Sequence, residues 1–168
     1  RVDSAQTGQL NYGYDPQGRL AMWSDSHLTR AHFAYDDHDR VIRNWTDSGH
    51  LSVELAYDLS ARRTRVTDAA GAVKLFDWTE RGLVWREIDA AGGEWLTEWG
   101  TGAEVLSRQD PLGNIWRYDH DGVGNLIRAT DPEGNSESWE YGPDRLPVAP
   151  VDANGARTTF RHDPNGNL

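Results

Sequence analysis

The sequence predicts an all-β fold built from tandem β-hairpins of about 21 residues that pair edge to edge into a continuous sheet. Three interlocked registers predict it. Aspartate followed three residues later by glycine recurs at Asp68/Gly71, Asp89/Gly92, Asp110/Gly113, Asp131/Gly134 and Asp152/Gly155, and Asp47 extends the aspartate series by one more period. Eleven residues before each Asp-x-x-Gly aspartate stands a ring, at Tyr57, Trp78, Trp99, His120 and Tyr141; His162 follows one period on, and Tyr14 and Tyr35 continue the series backwards, with a one-residue slip between Tyr35 and Asp47. A third register lies two residues earlier, at Tyr12, Phe33, Leu55, Phe76, Thr97, Tyr118, Trp139 and Phe160. A fixed period in this range marks a repeat architecture. The 168 residues hold eight such periods, so residues 1–168 read as eight repeats, a section of a longer array.

Each repeat opens with a strand. Val53, Leu55 and Tyr57 alternate with their neighbours, as do Lys74, Phe76 and Trp78, then Trp95, Thr97 and Trp99, then Trp116, Tyr118 and His120, then Glu137, Trp139 and Tyr141. Period two is the signature of a strand. A turn follows, clearest in Asp15-Pro16-Gln17-Gly18 and Asp163-Pro164-Asn165-Gly166. Proline presets φ at the first central position and glycine supplies positive φ after it. A second strand comes next, as in Leu20–Trp23, Leu83–Arg86 and Asn125–Arg128. It stops at the Asp-x-x-Gly turn, where the aspartate carboxylate accepts a backbone N–H two residues on. No stretch keeps helical spacing. Pro147 and Pro150 depart from the pattern, because proline cannot donate to a ladder, and they predict a second strand that is interrupted, kinked or left at an edge.

A lone hairpin is marginal in water. Burying a ring between hairpins removes roughly 150–250 Å² from water, so the rings of successive hairpins are expected to align in rows, with nearest-neighbour contacts carrying the stability. The eight tryptophans need such a place.

Composition excludes several functions. A net charge of −10 is a poor match for a phosphate backbone or an anionic membrane. No cysteine is present, so there is neither a disulfide framework nor a thiolate metal site. Arg1-Val2-Asp3-Ser4 does not read as a signal peptide, and no apolar run reaches membrane-spanning length. No enzymatic constellation stands out: the in-register carboxylates are turn formers, and nucleophile elbow, P-loop and dinucleotide fingerprint are absent. The six histidines lack metal-ligand spacing, and His120 and His162 stand in for the register ring. One aspartate per turn supplies too few oxygens for calcium. No metal or cofactor is expected. Trp95, Trp99, Trp116 and Trp139 are the candidates for carbohydrate contact, should the ring rows be exposed.

The unit resembles that of the Rhs or YD-repeat family: aromatic, any residue, Tyr-Asp, a short turn, Gly-Arg or Gly-Asn, a hydrophobic strand and an Asp-x-x-Gly turn. Tyr14-Asp15-Pro16-Gln17-Gly18-Arg19-Leu20 matches it throughout, and Tyr35-Asp36, Tyr57-Asp58 and His162-Asp163-Pro164-Asn165-Gly166-Asn167-Leu168 match closely. Trp78-Thr79, Trp99-Gly100 and Tyr141-Gly142 keep the ring and lose the aspartate. The resemblance implies that the sheet is curved, a segment of a hollow β-shell (a cocoon). In bacterial members the shell encloses a C-terminal toxic domain and is delivered by type VI secretion or a related route; insecticidal toxin complexes and teneurins use similar shells. It implies partners: the remainder of the shell, the enclosed toxin, a secretion spike and a chaperone. It implies a product made in the cytoplasm and then secreted or delivered into target cells. Exposed sheet edges would favour edge-to-edge self-association. The alternative is a surface adhesin whose repeats bind glycan. The family's self-cleaving core segment has no counterpart, since Asp110-Pro111-Leu112-Gly113 is in register with its sister turns.

Overall fold

The computed structural model describes residues 10–25, 29–163 and 165–167. His27, Pro164 and Leu168 lie outside the described residues. The chain divides into two units, the first ending at Phe76 and the second beginning at Asp77.

The first unit contains β1 (Asn11–Tyr14), β2 (Leu20–Ser24), β3 (Arg30–Tyr35), β4 (Val41–Thr46), β5 (Val53–Asp58) and β6 (Arg63–Asp68). The division falls inside β7 (Val73–Trp78). The second unit continues with β8 (Val84–Ile88), β9 (Glu94–Trp99), β10 (Val105–Gln109), β11 (Ile115–His120), β12 (Leu126–Thr130), β13 (Ser136–Tyr141) and β14 (Pro147–Val151). Within each unit every strand pairs antiparallel with its chain neighbours, so sheet order is chain order. Connections of four to six residues, short enough to join only adjacent antiparallel strands, produce this meander directly from the repeat.

The strands are single-layered, and their two faces differ. In the first unit one face carries Tyr12 opposite Trp23, Phe33 opposite Asn44, and Leu55 opposite Val66. The other carries Met22 opposite His32, His32 opposite Trp45, and Arg43 opposite Glu54. In the second unit Thr97, Arg108 and Trp116 share the ring-bearing face, while Glu98, Ser107 and Arg117 share the other. A single layer leaves almost no conventional core: among the described residues Ala149 is the buried hydrophobic and Asp77 the buried polar side chain. Asp77 is hydrogen-bonded by Arg86 at 3.4 Å, and Arg86 also pairs with Glu94.

The prolines of β14 do not break the strand. Pro147 pairs with Tyr141 at the first position, and Pro150 pairs with Trp139. The carbonyl of Pro150 accepts from the Thr158 N–H at 3.1 Å on the side away from β13, so the missing proline N–H lies on that side too. First position and outward-facing N–H are the places where a strand tolerates proline. The strand is therefore continuous, and of the three outcomes the sequence offers (interrupted, kinked or left at an edge) the last one holds, since β14 ends the sheet order among the described strands.

The repeat latch as candidate functional site

Most hairpin turns share one geometry, those joining β4 to β5 and β5 to β6 being exceptions. In the first, Gly18 N–H donates to the Asp15 carbonyl at 2.9 Å, and Asp15 N–H donates to the Arg19 carbonyl at 2.9 Å. Gly18 takes φ +83°, which makes this a type I turn closed by a left-handed residue. The ladder then slips by one residue, so that Tyr14 faces Leu20 while Gly13 faces Met22. The same bulge follows Ala34, Asp119 and Glu140. Each register ring beside such a bulge is thereby re-aimed at the end of its strand.

The turn aspartate uses its two oxygens differently. Asp15 Oδ1 accepts the backbone N–H groups of Gln17 at 3.0 Å and Arg19 at 2.8 Å, and Oδ2 accepts from Arg19 Nε at 2.7 Å. Asp36 repeats this with His38 and Arg40. Where the residue after glycine is asparagine, its amide replaces the guanidinium. Asn114, Asn125 and Asn135 donate to Asp110, Asp121 and Asp131 at 2.7–2.8 Å. Thus the Gly-Arg and Gly-Asn variants satisfy the same carboxylate oxygen. These contacts hold the carboxylates below their ordinary range. At Asp36 the Arg40 guanidinium dominates, burial opposes it, and the pKa settles at about 2.

The register ring links one repeat to the repeat before it. Tyr35 donates its hydroxyl to the Leu20 carbonyl at 2.8 Å, Tyr57 to Val41 at 2.7 Å and Tyr141 to Leu126 at 2.9 Å. Trp99 does the same with its indole N–H, to Val84 at 2.8 Å. The arginine of the earlier turn covers the ring: the Arg19 guanidinium lies 4.6 Å from the Tyr35 centroid, and Arg40 lies 4.8 Å from that of Tyr57. Arg19 also reaches Asp39 of the next turn at 2.7 Å. Aspartate, arginine and ring therefore form one connected latch across consecutive hairpins. It binds chain to chain and holds no reacting group.

The remaining candidate positions fall as follows. Tyr14 ends β1 and is 64% exposed. Trp78 ends β7, and His162 lies in the irregular segment after β14. His120 ends β11 in the ring position, with Nδ1 buried and without a hydrogen-bond partner. Asp68, Asp89, Asp110, Asp131 and Asp152 end or immediately follow their strands, and Gly71, Gly92, Gly113, Gly134 and Gly155 supply the positive φ behind them. Asp47 behaves differently. Its turn opens one residue early, with Gly49 N–H donating to the Thr46 carbonyl at 2.8 Å. Its carboxylate turns instead to His32 Nε2 at 2.6 Å and Arg30 at 3.8 Å. The one-residue slip resides here, since residues 47–52 join β4 to β5 where residues 89–93 join β8 to β9. Trp95, Trp99, Trp116 and Trp139 are all half-buried, and Arg108 stands 4.9 Å over the Trp95 ring. Among the described residues no group of three or more His, Asp or Glu side chains is placed to hold a metal ion, and no helix is long and apolar enough to cross a membrane.

A coreless meander tied by latches between consecutive hairpins is a structural repeat array, not a catalytic domain. Residues 99–136 match the RHS repeat family. A crystal structure of TcdB2-TccC3 is similar over 91% of this chain and 10% of its own, with a TM-score of 0.70 at 16% identity. A Photorhabdus luminescens Tc holotoxin pore is similar over 96% of this chain and 11% of its own, with a TM-score of 0.67 at 12% identity. TcdB2-TccC3 without its hypervariable C-terminal region gives 96% and 10%, with a TM-score of 0.63 at 15% identity. The chain spans about a tenth of the length of these solved chains, and at such identities the likeness is one of fold. No curated protein matches it in sequence.

Proposed function

We propose that this chain is a section of the wall of an Rhs-type shell that encloses a C-terminal toxic domain and delivers it to target cells. The observation that carries this reading is the latch. Because Tyr35, Tyr57, Trp99 and Tyr141 each bond to the preceding hairpin, the array can extend by addition of like units. Such a chain makes wall, and its job is mechanical confinement rather than chemistry. The likeness to Tc holotoxin chains, one of them named for a removable hypervariable C-terminal region, supports a shell with exchangeable cargo. The small share of those chains that it spans supports a longer array, of which the eight repeats in residues 1–168 form a section. On this reading the partners are the rest of the shell, the enclosed toxin, and a secretion spike with its chaperone. The protein is then made in the bacterial cytoplasm, passed out by a type VI or related route, and used in competition between bacteria.

The adhesin reading draws less support. Trp99 spends its indole N–H on Val84, and Trp95, Trp116 and Trp139 are half-covered by their own sheet, leaving little flat ring for a sugar. The deciding experiment compares the mass of the full-length parent under native and denaturing conditions. A C-terminal polypeptide that separates only on denaturation is the expected result. One intact chain under both conditions, with nothing retained, would move glycan adhesion to the front.

A further inference from the structure

On the ring-bearing face of the first unit, beside the connection formed by residues 47–52, lies an open hollow of about 990 Å³. Trp23, Ala31, Phe33, Asn44, Val53 and Asp68 line it with His50, and among the described residues neither lysine nor arginine does. The register explains why the space is there. Ala31 and Val53 occupy the position four residues before the register ring; in the second unit Trp95 and Trp116 hold that position in β9 and β11, and Glu137 holds it in β13. Asn44, opposite Phe33, holds the position of Arg108, opposite Thr97. In the second unit the guanidinium of Arg108 covers the Trp95 indole at 4.9 Å. At β9 and β10 the second unit thus fills this part of its face with an indole and a guanidinium from its own chain. The first unit offers a methyl group and a neutral amide there, with a carboxylate on the wall.

We propose that this hollow receives an aromatic side chain flanked by a cationic one, presented by a polypeptide segment that lies against this face. The missing volume asks for a ring: Trp23 and Phe33 supply apolar and π surface to meet it, and a volume near 1,000 Å³ is at the upper end of ordinary ligand clefts. The missing charge asks for a cation. The Asp68 carboxylate accepts the Ala70 and Ala72 N–H groups at 2.9 Å, the His50 imidazole is the one basic group on the lining among the described residues, and the whole chain carries −10. Arginine over indole, the pairing already made by Arg108 and Trp95, is the arrangement that the occupant would recreate. The proposal rests on the first unit alone and holds or fails independently of what the shell encloses.

The probe is an amidated Lys-Trp-Lys tripeptide carrying 5-fluorotryptophan, titrated against the 168-residue chain and followed by fluorine NMR. A saturable shift is expected, with a Glu-Trp-Glu control at least about threefold weaker, the scale of one exposed ion pair. Ala31→Trp places the chain's own indole in the hollow and should weaken binding about tenfold or more, one decade being 1.4 kcal/mol. Val53→Phe, at the sister position, should weaken it in the same direction and decides the matter if Ala31→Trp does not fold. Absence of a saturable shift overturns the proposal, as does parental affinity in the folded variants. Equal binding of the two tripeptides overturns the cationic half of it and reduces the hollow to a generic apolar cleft.

Discussion

Asp36 shows what one residue contributes to this sheet. Its carboxyl sits at about 2 because the Arg40 guanidinium binds it, burial resists, and the Arg40 and His38 N–H groups add to the effect. Asp121 and Asp131 are lowered too, the first chiefly by the Asn125 N–H and the second by the Asn135 amide. A carboxylate whose folded pKa lies below the unfolded 3.8 contributes stability that is fully present above that value. That contribution is lost as pH falls through the folded value. The melting temperature should therefore drop between about pH 4 and pH 2. Asp36→Asn keeps a capping oxygen but removes the charge. It should melt lower at neutral pH and show a shallower acid slope, and an unchanged slope would count against the ion pair. A second residue-scale expectation concerns φ. Ala103 and Arg145 adopt φ +70° and +63° at turn positions where the sister repeats place glycine. A side chain there costs roughly 1–2 kcal/mol, so Ala103→Gly should raise stability by about 1 kcal/mol in a denaturant titration.

At the scale of the hairpin, the latch identifies its own weak copy. His120 stands where Tyr35, Tyr57 and Tyr141 donate to the preceding repeat, and its buried Nδ1 has no partner. By the register its acceptor would be the Val105 carbonyl. His120→Tyr should restore the bond and stabilise the chain by about 1 kcal/mol, read as a rise in denaturation midpoint. Trp99→Ala should cost about 3 kcal/mol, the low end for a large aromatic because the ring is half-buried. The same hairpins mark how far the sequence can be read. Alternation and Asp-x-x-Gly spacing are local, so strands and turns were legible at Trp95–Trp99 or Asp110–Gly113 without any tertiary knowledge. The partners of Tyr35 and Trp99 lie 15 residues back in another hairpin, and spacing does not say whether a ring donates to a carbonyl or merely stacks. Asp47 belongs to the aspartate register yet serves His32, because the inserted residue moves the turn by one. Pro150 looked disruptive because sequence does not reveal which side of a strand its missing N–H faces.

Over the whole molecule, latches that reach one hairpin back make stability additive and local. Hydrogen exchange on Trp99→Ala should lose amide protection around β8 and β9 and leave β13 and β14 close to the parent. Uniform loss along the chain would mean a single cooperative block instead. The near-absence of buried apolar side chains has a further, calorimetric consequence. The heat-capacity increment of unfolding scales with the apolar surface newly hydrated, about 12–15 cal/mol/K per residue in proteins with an ordinary interior. A single-layered chain held by hydrogen bonds and guanidinium–ring contacts should fall well below that figure. Its free energy of unfolding would then trace a shallow arc with temperature, with cold denaturation displaced far below freezing. Such a sheet loses strength slowly on either side of its optimum temperature.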